Sequence, residues 1–343
     1  MTGLPLGAGW LGMKFERRHS PESPENSGKG ISGVVPKDVH RERLEDLLRT
    51  MVECEHGGRS MSAEHLAGVS GLSLKEVLRV LGWACEAGFV AVVETGEWAL
   101  TGQGRENGLL VMRAHRLIET RLARESGESP ERWHTIAHAG EHRLTHEEIN
   151  RLADHLGNPC FDPHGDPIPS RDGRWPTEGG RPLLAWQAGC AGVIQHVEDE
   201  PPVLFAQLVA LGVFAGMRFT LLEMKASMCR LLIEGREVLL SAKLAALIRA
   251  RQPVCEEDLV PSGARRLSEL SIGESAKVLR LLPGCIGPER ARLLDLGFVP
   301  RSRVSFALQS PFRGPSAFHV RGTLIALRYE QAEQVLIQPI GVV

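Results

Sequence analysis

The sequence predicts an α+β fold: an N-terminal unit of helices with a β-hairpin, a second group of helices, and two small β-barrels. Apolar residues recur at helical spacing through roughly the first half of the chain. Histidine and glutamate residues are concentrated between His115 and His142, at spacings that share a helix face. The second half contains short apolar runs broken by glycines, and this pattern occurs twice.

Composition indicates an ordinary soluble protein of about two to four domains. Of the 343 residues, 43% are hydrophobic and 24% are charged, with a formal net charge of −2. Nucleic-acid binding would therefore need a local surface. The seven cysteines form no Cys-x-x-Cys pair, which argues against a disulfide framework and favours a reducing cytoplasm. No apolar run approaches the roughly 18 residues that span a bilayer, so we expect no membrane association.

The N-terminal unit is predicted over residues 37–107, after a disordered tail over 1–36 that is rich in Gly, Ser and Pro. Apolar spacing predicts a helix over 41–54 and a second from residue 62, and Ser73 is a suitable N-cap for a third helix over 74–86. Two short strands around the polar turn at 94–97 follow. This order is typical of a winged helix-turn-helix domain.

The third helix of such a unit normally enters the major groove of DNA. Here it offers Ser73, Lys75 and Arg79 as candidate DNA-binding residues, opposed by Glu76. Because this surface is weakly cationic, the segment alone leaves two alternatives open, a DNA-binding unit and a protein-interaction module.

A helical unit is predicted over residues 108–169, with its first helix from Gly108 to about Ser126. The candidate metal ligands at helical spacing are His115, Glu119, His134, His138, Glu141 and His142. Imidazole and carboxylate without thiolate suit Mn²⁺, Fe²⁺, Co²⁺, Ni²⁺ or Zn²⁺. The histidines without such neighbours are expected to be surface or packing residues: His40, His56, His164, His196 and His319.

The proline-rich stretch 162–169 is predicted to be non-helical, and 170–180 to be a linker. An internal repeat follows, because Gly189, Gly212 and Gly235 recur as Gly273, Gly297 and Gly322 at offsets of 84 to 87 residues. We predict two SH3-like barrels, over 181–252 and 264–340. Such barrels bind peptides or other domains, so a peptide or an intramolecular partner is expected.

Residues 37–169 resemble the diphtheria toxin repressor and manganese transport regulator family in the order and spacing of several motifs. The matching stretches are Leu48-Arg-Thr-Met-Val-Glu-Cys-Glu, Leu100-Thr-Gly-Gln-Gly-Arg105, Met112-Arg-Ala-His115-Arg-Leu-Ile-Glu119, the Glu141-His142 pair and Pro163-His-Gly-Asp-Pro-Ile-Pro169. Both C-terminal repeats resemble the FeoA-type SH3-like domain. The resemblance implies a homodimeric repressor of metal-uptake genes that binds operator DNA when Mn²⁺ or Fe²⁺ is bound.

The resemblance also implies two metal sites. His115, Glu119 and His134 match one site, and the other is matched by Asp46, His138, Glu141 and His142. His138 departs from the Cys or Glu that is usual in the family, which leaves the choice of metal open and makes Zn²⁺ an alternative. In the first repeat, Pro201 and Leu204 occupy positions where iron-type members supply further ligands, so no ligand is assigned there. Glu198 and Glu200 are expected to be solvated.

Two other functions fit the same residues. His138-Ala-Gly-Glu141-His142 matches the His-x-x-Glu-His pattern of inverted zinc peptidases, although the predicted barrels leave little room for a substrate cleft. A metal-responsive adaptor that acts through the barrels without binding DNA is the other alternative. We favour a regulator over an enzyme.

Overall fold

The N-terminal unit has the predicted order of helices and strands. The computed structural model describes residues 37–94, 96–177, 179–309 and 314–340, so the predicted tail, residues 1–36, lies outside the described residues. The elements are α1 (Lys37–His56), α2 (Ala63–Ser70), α3 (Leu74–Glu86), β1 (Val90–Val92) and β2 (Trp98–Leu100). β1 and β2 pair antiparallel, with Val90 opposite Leu100. Leucines of α1 pack against Val77, Val80 and Leu81 of α3 in one core.

α3 begins where the sequence predicts. The Ser73 hydroxyl accepts a hydrogen bond from the Glu76 amide, and the Glu76 carboxylate accepts one from the Ser73 amide. This reciprocal capping satisfies two amides that the first helical turn leaves without partners. The cap therefore fixes where α3 begins, and the shared apolar core fixes its packing against α1.

The next helix, α4, spans Gly102–Glu125. The predicted start at Gly108 is therefore wrong by six residues. The Thr101 side chain caps it by accepting a hydrogen bond from the Gly104 amide. A Cβ at Gly104 would lie 1.9 Å from the Phe89 carbonyl oxygen, and one at Gly108 would lie 2.6 Å from Val52 Cγ2. These glycines permit close packing instead of ending a helix.

α5 (Pro130–Glu141) and α6 (His146–His155) complete the helical unit. Residues 162–169 contain no helix, as predicted. The predicted linker 170–180 is packed in its described part: Trp175 stacks on His56 of α1 with ring centroids 4.0 Å apart. Trp175 also packs against the core of the N-terminal unit, so this segment ties the two halves of the chain together.

The C-terminal half forms two sheets with the same strand order, which agrees with duplication. The first barrel contains β3 (Arg181–Pro182), β4 (Ala191–Val197), α7 (Pro202–Ala210), β5 (Arg218–Met224), β6 (Met228–Ile233), β7 (Arg236–Ser241), α8 (Ala242–Ala245) and β8 (Ile248–Arg251). The second contains β9 (Arg265–Arg266), β10 (Ser275–Leu281), α9 (Gly287–Asp295), β11 (Arg303–Gln309), β12 (Ser316–Val320), β13 (Thr323–Leu327), α10 (Tyr329–Glu333) and β14 (Val335–Ile340). The orders are β3-β8-β4-β5-β6-β7 and β9-β14-β10-β11-β12-β13.

Each barrel is docked on the rest of the chain. Glu234 of the first barrel is fully buried, accepts a hydrogen bond from the Arg218 amide, and pairs with Arg280 of the second barrel. α9 packs on the end of α4, where a Cβ at Gly287 would lie 1.9 Å from the Ser126 carbonyl oxygen. The first barrel meets the helical unit through a hydrogen bond from the Val197 amide to the His164 carbonyl, at 2.8 Å.

All seven cysteines lie among the described residues and none forms a disulfide. None of the helices in the part of the chain that the structure describes combines the length and hydropathy needed to cross a bilayer.

Candidate metal centre

α4 and α5 bring His115, Glu119 and His134 together, a group we call cluster 1. One turn of α4 separates His115 from Glu119, and His115 Nε2 lies 3.2 Å from Glu119 Oε1. His134, on α5, places Nδ1 3.8 Å from the same oxygen. His115 and Glu119 are buried, whereas the His134 side chain is 42% exposed. Cluster 1 is therefore a buried carboxylate flanked by two imidazoles.

The end of α5 and the middle of α1 bring together Asp46, His138, Glu141 and His142, a group we call cluster 2. His142 Nε2 lies 3.2 Å from Asp46 Oδ1 and 3.4 Å from Glu141 Oε1. His138 Nδ1 lies 3.5 Å from Asp46 Oδ1 and 2.9 Å from Glu141 Oε1. All seven sequence-predicted ligands therefore fall into two clusters, grouped as the resemblance implies.

Glu141 connects the two clusters. Its side chain is fully buried, with Oε1 directed into cluster 2 and Oε2 at 2.5 Å from His115 Nδ1. The hydrogen bond to Nδ1 leaves His115 Nε2 directed at Glu119 of cluster 1. A change in the charge or position of this carboxylate therefore acts on both clusters.

Glu45, which sequence reasoning missed, holds the ring of His142. Its Oε2 lies 2.7 Å from His142 Nδ1, while His142 Nε2 is directed into cluster 2. Metal-ligating histidines usually make this kind of hydrogen bond with their other ring nitrogen, because it fixes the tautomer and orientation of the ring. The adjacent Glu45 and Asp46 thus act on opposite sides of one imidazole.

Ionisation in the metal-free centre follows from this geometry. Burial alone would raise the pKa of Glu141, but hydrogen bonds from His115 and His138 and the charge of Arg49 lower it to about 2. Burial would lower the pKa of His115 and of His142, yet the carboxylates facing them raise each pKa to about 9. Glu141 is therefore ionised at neutral pH, and protons on the imidazoles of His115 and His142 balance part of the negative charge in the centre.

The atoms that face one another in the clusters suit a dication. Asp46 Oδ1, Glu119 Oε1 and His142 Nε2 are buried and have no hydrogen-bond partner among the described residues. Within each cluster, one ligand atom from each residue lies within 4.8 Å of the others. Metal–ligand bonds of about 2.1 Å place ligand atoms roughly 3 to 4.3 Å apart, so a small contraction completes either site. The nitrogen and oxygen donors fit Mn²⁺, Fe²⁺ or Zn²⁺.

Two further side chains approach cluster 1 that the sequence did not mark as ligands. Asp199, in the loop after β4, lies 3.5 Å from His134 Nδ1. His164, expected to be a packing or surface residue, is buried with Nδ1 3.7 Å from Glu119 Oε2. Glu198 and Glu200 are exposed, as expected. The first barrel therefore places the Asp199 carboxylate beside cluster 1. Both clusters border a cavity of about 940 Å³ between α1, the helical unit and β4.

The predicted DNA-binding residues lie at the start of α3. Lys75 and Arg79 are exposed, and the Ser73 side chain is engaged in the cap with Glu76. The arrangement leaves two exposed cations on this face of the helix.

Family models match two parts of the chain. Residues 101–170 match the metal-binding and dimerisation domain of iron-dependent repressors, and residues 265–339 match the FeoA domain. The chain is homologous to the iron- and manganese-dependent repressors. The first match covers α4 to the loop at 162–169, and the second covers the second barrel.

Individual repressors support this homology. The iron-dependent repressor IdeR of Mycobacterium bovis and that of Mycobacterium tuberculosis are each 31% identical over 122 residues, 36% of this chain and 53% of theirs. The chain thus spans about half the length of these curated relatives. A solved manganese-dependent transcriptional repressor in complex with manganese is 29% identical, with a TM-score of 0.55 over 61% of this chain and 100% of its own. ScaR with bound Zn²⁺, 22% identical with a TM-score of 0.51, shares the fold.

Proposed function

We propose that this protein is a cytoplasmic, homodimeric transcription regulator that binds operator DNA when its clusters hold Mn²⁺ or Fe²⁺, and that it represses metal-uptake genes. The observation that carries the proposal is cluster 2, in which Asp46 of α1 meets His138, Glu141 and His142 of the helical unit. The homology to metal-dependent repressors and the winged helix-turn-helix fold support it.

The coupling of metal to DNA binding follows from the place of Asp46. Leu47, Leu48 and Met51, next along α1, belong to the core that holds α3. A cation supplies the positive charge that draws the carboxylates of Asp46 and Glu141 together. Asp46 then fixes α1, and with it α3, at one distance from the helical unit. In a dimer, this distance sets the separation of the two recognition helices and selects the form that fits two operator half-sites.

The charge balance explains why α1 is held less tightly against the helical unit in the metal-free state. Asp46, Glu119 and Glu141 place three carboxylates in neighbouring clusters, and the Arg49 guanidinium lies 3.9 Å from Glu141 Oε1. Without a dication, this balance relies on protonated imidazoles. A differential affinity of a few kcal/mol for the ordered form is sufficient to switch such an equilibrium.

The geometry favours a ligand role for Glu141 over the water-activating role of a zinc peptidase. Its carboxylate is buried, and its two oxygens contact His115 and His138. A general base needs an oxygen within reach of a water molecule beside the substrate. Zinc-dependent peptide cleavage that is abolished by Glu141→Gln would overturn this assignment.

The partner of the first barrel is proposed to be intramolecular. Val197 and Asp199 contact His164 and His134 of the helical unit, respectively. The barrel therefore completes one wall of the metal centre.

The test is DNA binding by the full chain to the promoter of its own gene, measured by fluorescence anisotropy. We expect binding with Mn²⁺ or Fe²⁺, loss with chelator, and no comparable binding to a scrambled duplex. Binding of equal strength with and without metal would contradict the switch. Metal binding without any DNA binding would instead favour the adaptor function.

A further inference from the structure

The loop at the junction of the helical unit and the first barrel contains a third group of ligand-type side chains. One ligand atom each of Asp162, His164 and Asp166 lies within 4.8 Å of the other two. The three residues alternate along the chain, as the first ligands of a Ca²⁺-binding EF-hand loop do. Gly165, with φ +95°, provides the turn between the last two.

His164 is the independent sign of a missing ligand. It is buried to 3% exposure, and its Nε2 has no hydrogen-bond partner among the described residues. Its Nδ1 faces Asp162 Oδ2 at 4.0 Å and Glu119 Oε2 at 3.7 Å. A buried ring nitrogen without a hydrogen-bond partner is costly, and the imidazole that carries it faces two carboxylates.

The backbone of the loop holds one carboxylate oxygen of Asp162 and leaves the other facing His164. Its Oδ1 accepts hydrogen bonds from the amides of His164, Gly165 and Asp166, at 2.8 to 2.9 Å. These bonds fix the side chain and leave Oδ2 directed at His164.

Carboxyl groups outnumber guanidinium groups among the described contacts of this loop. Glu119, Asp166 and Asp199 accompany Asp162, and the nearest guanidinium is Arg116, 3.8 Å from Asp166 Oδ1. Arg116 is shared, since it lies at the same distance from a Glu53 oxygen and donates a hydrogen bond to the Pro167 carbonyl. His196 of β4 approaches Asp166 Oδ1 to 3.6 Å. A group of carboxyl side chains of this kind favours a bound cation.

We propose that Asp162, His164 and Asp166 form a third cation site, for a divalent ion that accepts mixed nitrogen and oxygen ligands, such as Mn²⁺. Glu119 links this site to cluster 1, since its Oε1 faces His115 and its Oε2 faces His164. The ion lies where β4 meets the loop, because the Val197 amide holds the His164 carbonyl. Occupancy therefore joins the first barrel to the helical unit.

The test is the number of Mn²⁺ ions bound per chain at saturation, measured on the full protein after chelator treatment and dialysis against buffered Mn²⁺. We expect three ions for the natural sequence, one for each cluster and one for the new site. Asp162→Asn keeps an oxygen that accepts the three amides, so the loop should fold, yet the double variant Asp162→Asn, Asp166→Asn should bind two ions. The exposed Asp172→Asn is the matched control and should bind three.

Anomalous diffraction at the manganese edge locates the ions. A peak among Asp162, His164 and Asp166 that disappears in His164→Gln supports the proposal. Two ions in both the natural protein and the double variant would overturn it while leaving the two-cluster switch intact. A third ion that survives in the double variant but is lost in Asp199→Asn would also overturn it, because the ion would then belong to Glu119, His164 and Asp199.

Discussion

Glu45 provides a sensitive test of how cluster 2 works, because it contacts the His142 ring without belonging to the cluster. Its Oε2 accepts from His142 Nδ1 at 2.7 Å, and the opposite nitrogen faces Asp46 and Glu141. Removing such a hydrogen bond typically weakens metal binding about 10- to 100-fold, which is about 1.4 to 2.7 kcal/mol. We expect Glu45→Ala to lower Mn²⁺ affinity by this amount.

The stability of the metal-free protein should fall by about 1 to 3 kcal/mol in Glu45→Ala, because the buried His142 Nδ1 loses its hydrogen-bond partner. The other contact of Glu45 is an ion pair at 3.2 Å with Arg41, whose side chain is 59% exposed, and such pairs contribute about 0.5 kcal/mol or less. Glu45→Gln keeps a hydrogen-bond acceptor but loses the charge, so its effect should be intermediate. Glu42→Ala, an exposed residue on the same helix, is the matched control.

The assay is a Mn²⁺ titration of DNA binding by fluorescence anisotropy. For Glu45→Ala, the midpoint should move to about 10- to 100-fold higher Mn²⁺, and excess Mn²⁺ should restore full DNA binding. The Glu42→Ala midpoint should match that of the natural protein. A Glu45→Ala midpoint equal to that of the control would refute the idea that this carboxylate orients a metal ligand.

Three further predictions concern packing, DNA contact and the barrel junction. Gly108→Ala should destabilise the protein by about 1 to 3 kcal/mol in thermal unfolding, because the added Cβ would meet Val52 of α1. Gly82→Ala, whose Cβ would meet nothing within 4 Å, should instead stabilise it by up to about 1 kcal/mol. Lys75→Ala and Arg79→Ala should each weaken DNA binding and reduce its salt slope by about 1. Glu234→Gln should cost about 3 kcal/mol in unfolding, because Arg280 loses its buried partner.

Each of these outcomes has a control in the same chain. Arg292→Ala, at an exposed position of α9 beside the far end of α4, should leave DNA binding unchanged. Glu237→Gln, whose side chain is 60% exposed, should leave unfolding unchanged. Equal losses in Glu234→Gln and Glu237→Gln would show that the junction of the barrels does not depend on the buried pair.

Local signals in the sequence were sufficient for much of the fold. Ser73 and Glu76 stand three residues apart, so their capping could be read directly, and α3 begins there. The repeat could be read from glycines such as Gly212 and Gly297, which have positive φ and directly follow the C-caps of the equivalent helices α7 and α9. These features depend on neighbours in the chain, which is why spacing predicts them.

The start of α4 could not be read in this way. Gly104 and Gly108 look like helix breakers in the sequence, but in the structure they allow α4 to pack against Phe89 and Val52. Trp175 similarly lies in a stretch that reads as a linker, and its docking on His56 depends on contacts distant in sequence. Tertiary packing overrode local propensity in both places.

Some residues of the metal centre could be predicted from local spacing, and others could not. His138, Glu141 and His142 lie on one turn, so their grouping was visible, and the family resemblance supplied Asp46. Asp199 had no signal, because it reaches His134 only through the docking of the first barrel. His164 did have a sequence signal, because it alternates with Asp162 and Asp166. That spacing indicates a ligand group only once the burial of His164 beside Glu119 is known.

Cluster 2 is proposed to couple metal binding to DNA binding. The double variant Glu141→Ala, His142→Ala removes two of its four ligands and so tests this coupling. Its affinity for the promoter duplex should be measured beside that of the natural protein, at saturating Mn²⁺ and with chelator. We expect the variant to bind DNA weakly in both conditions, at the level of the natural protein in chelator. An unchanged response to Mn²⁺ in the double variant would contradict it.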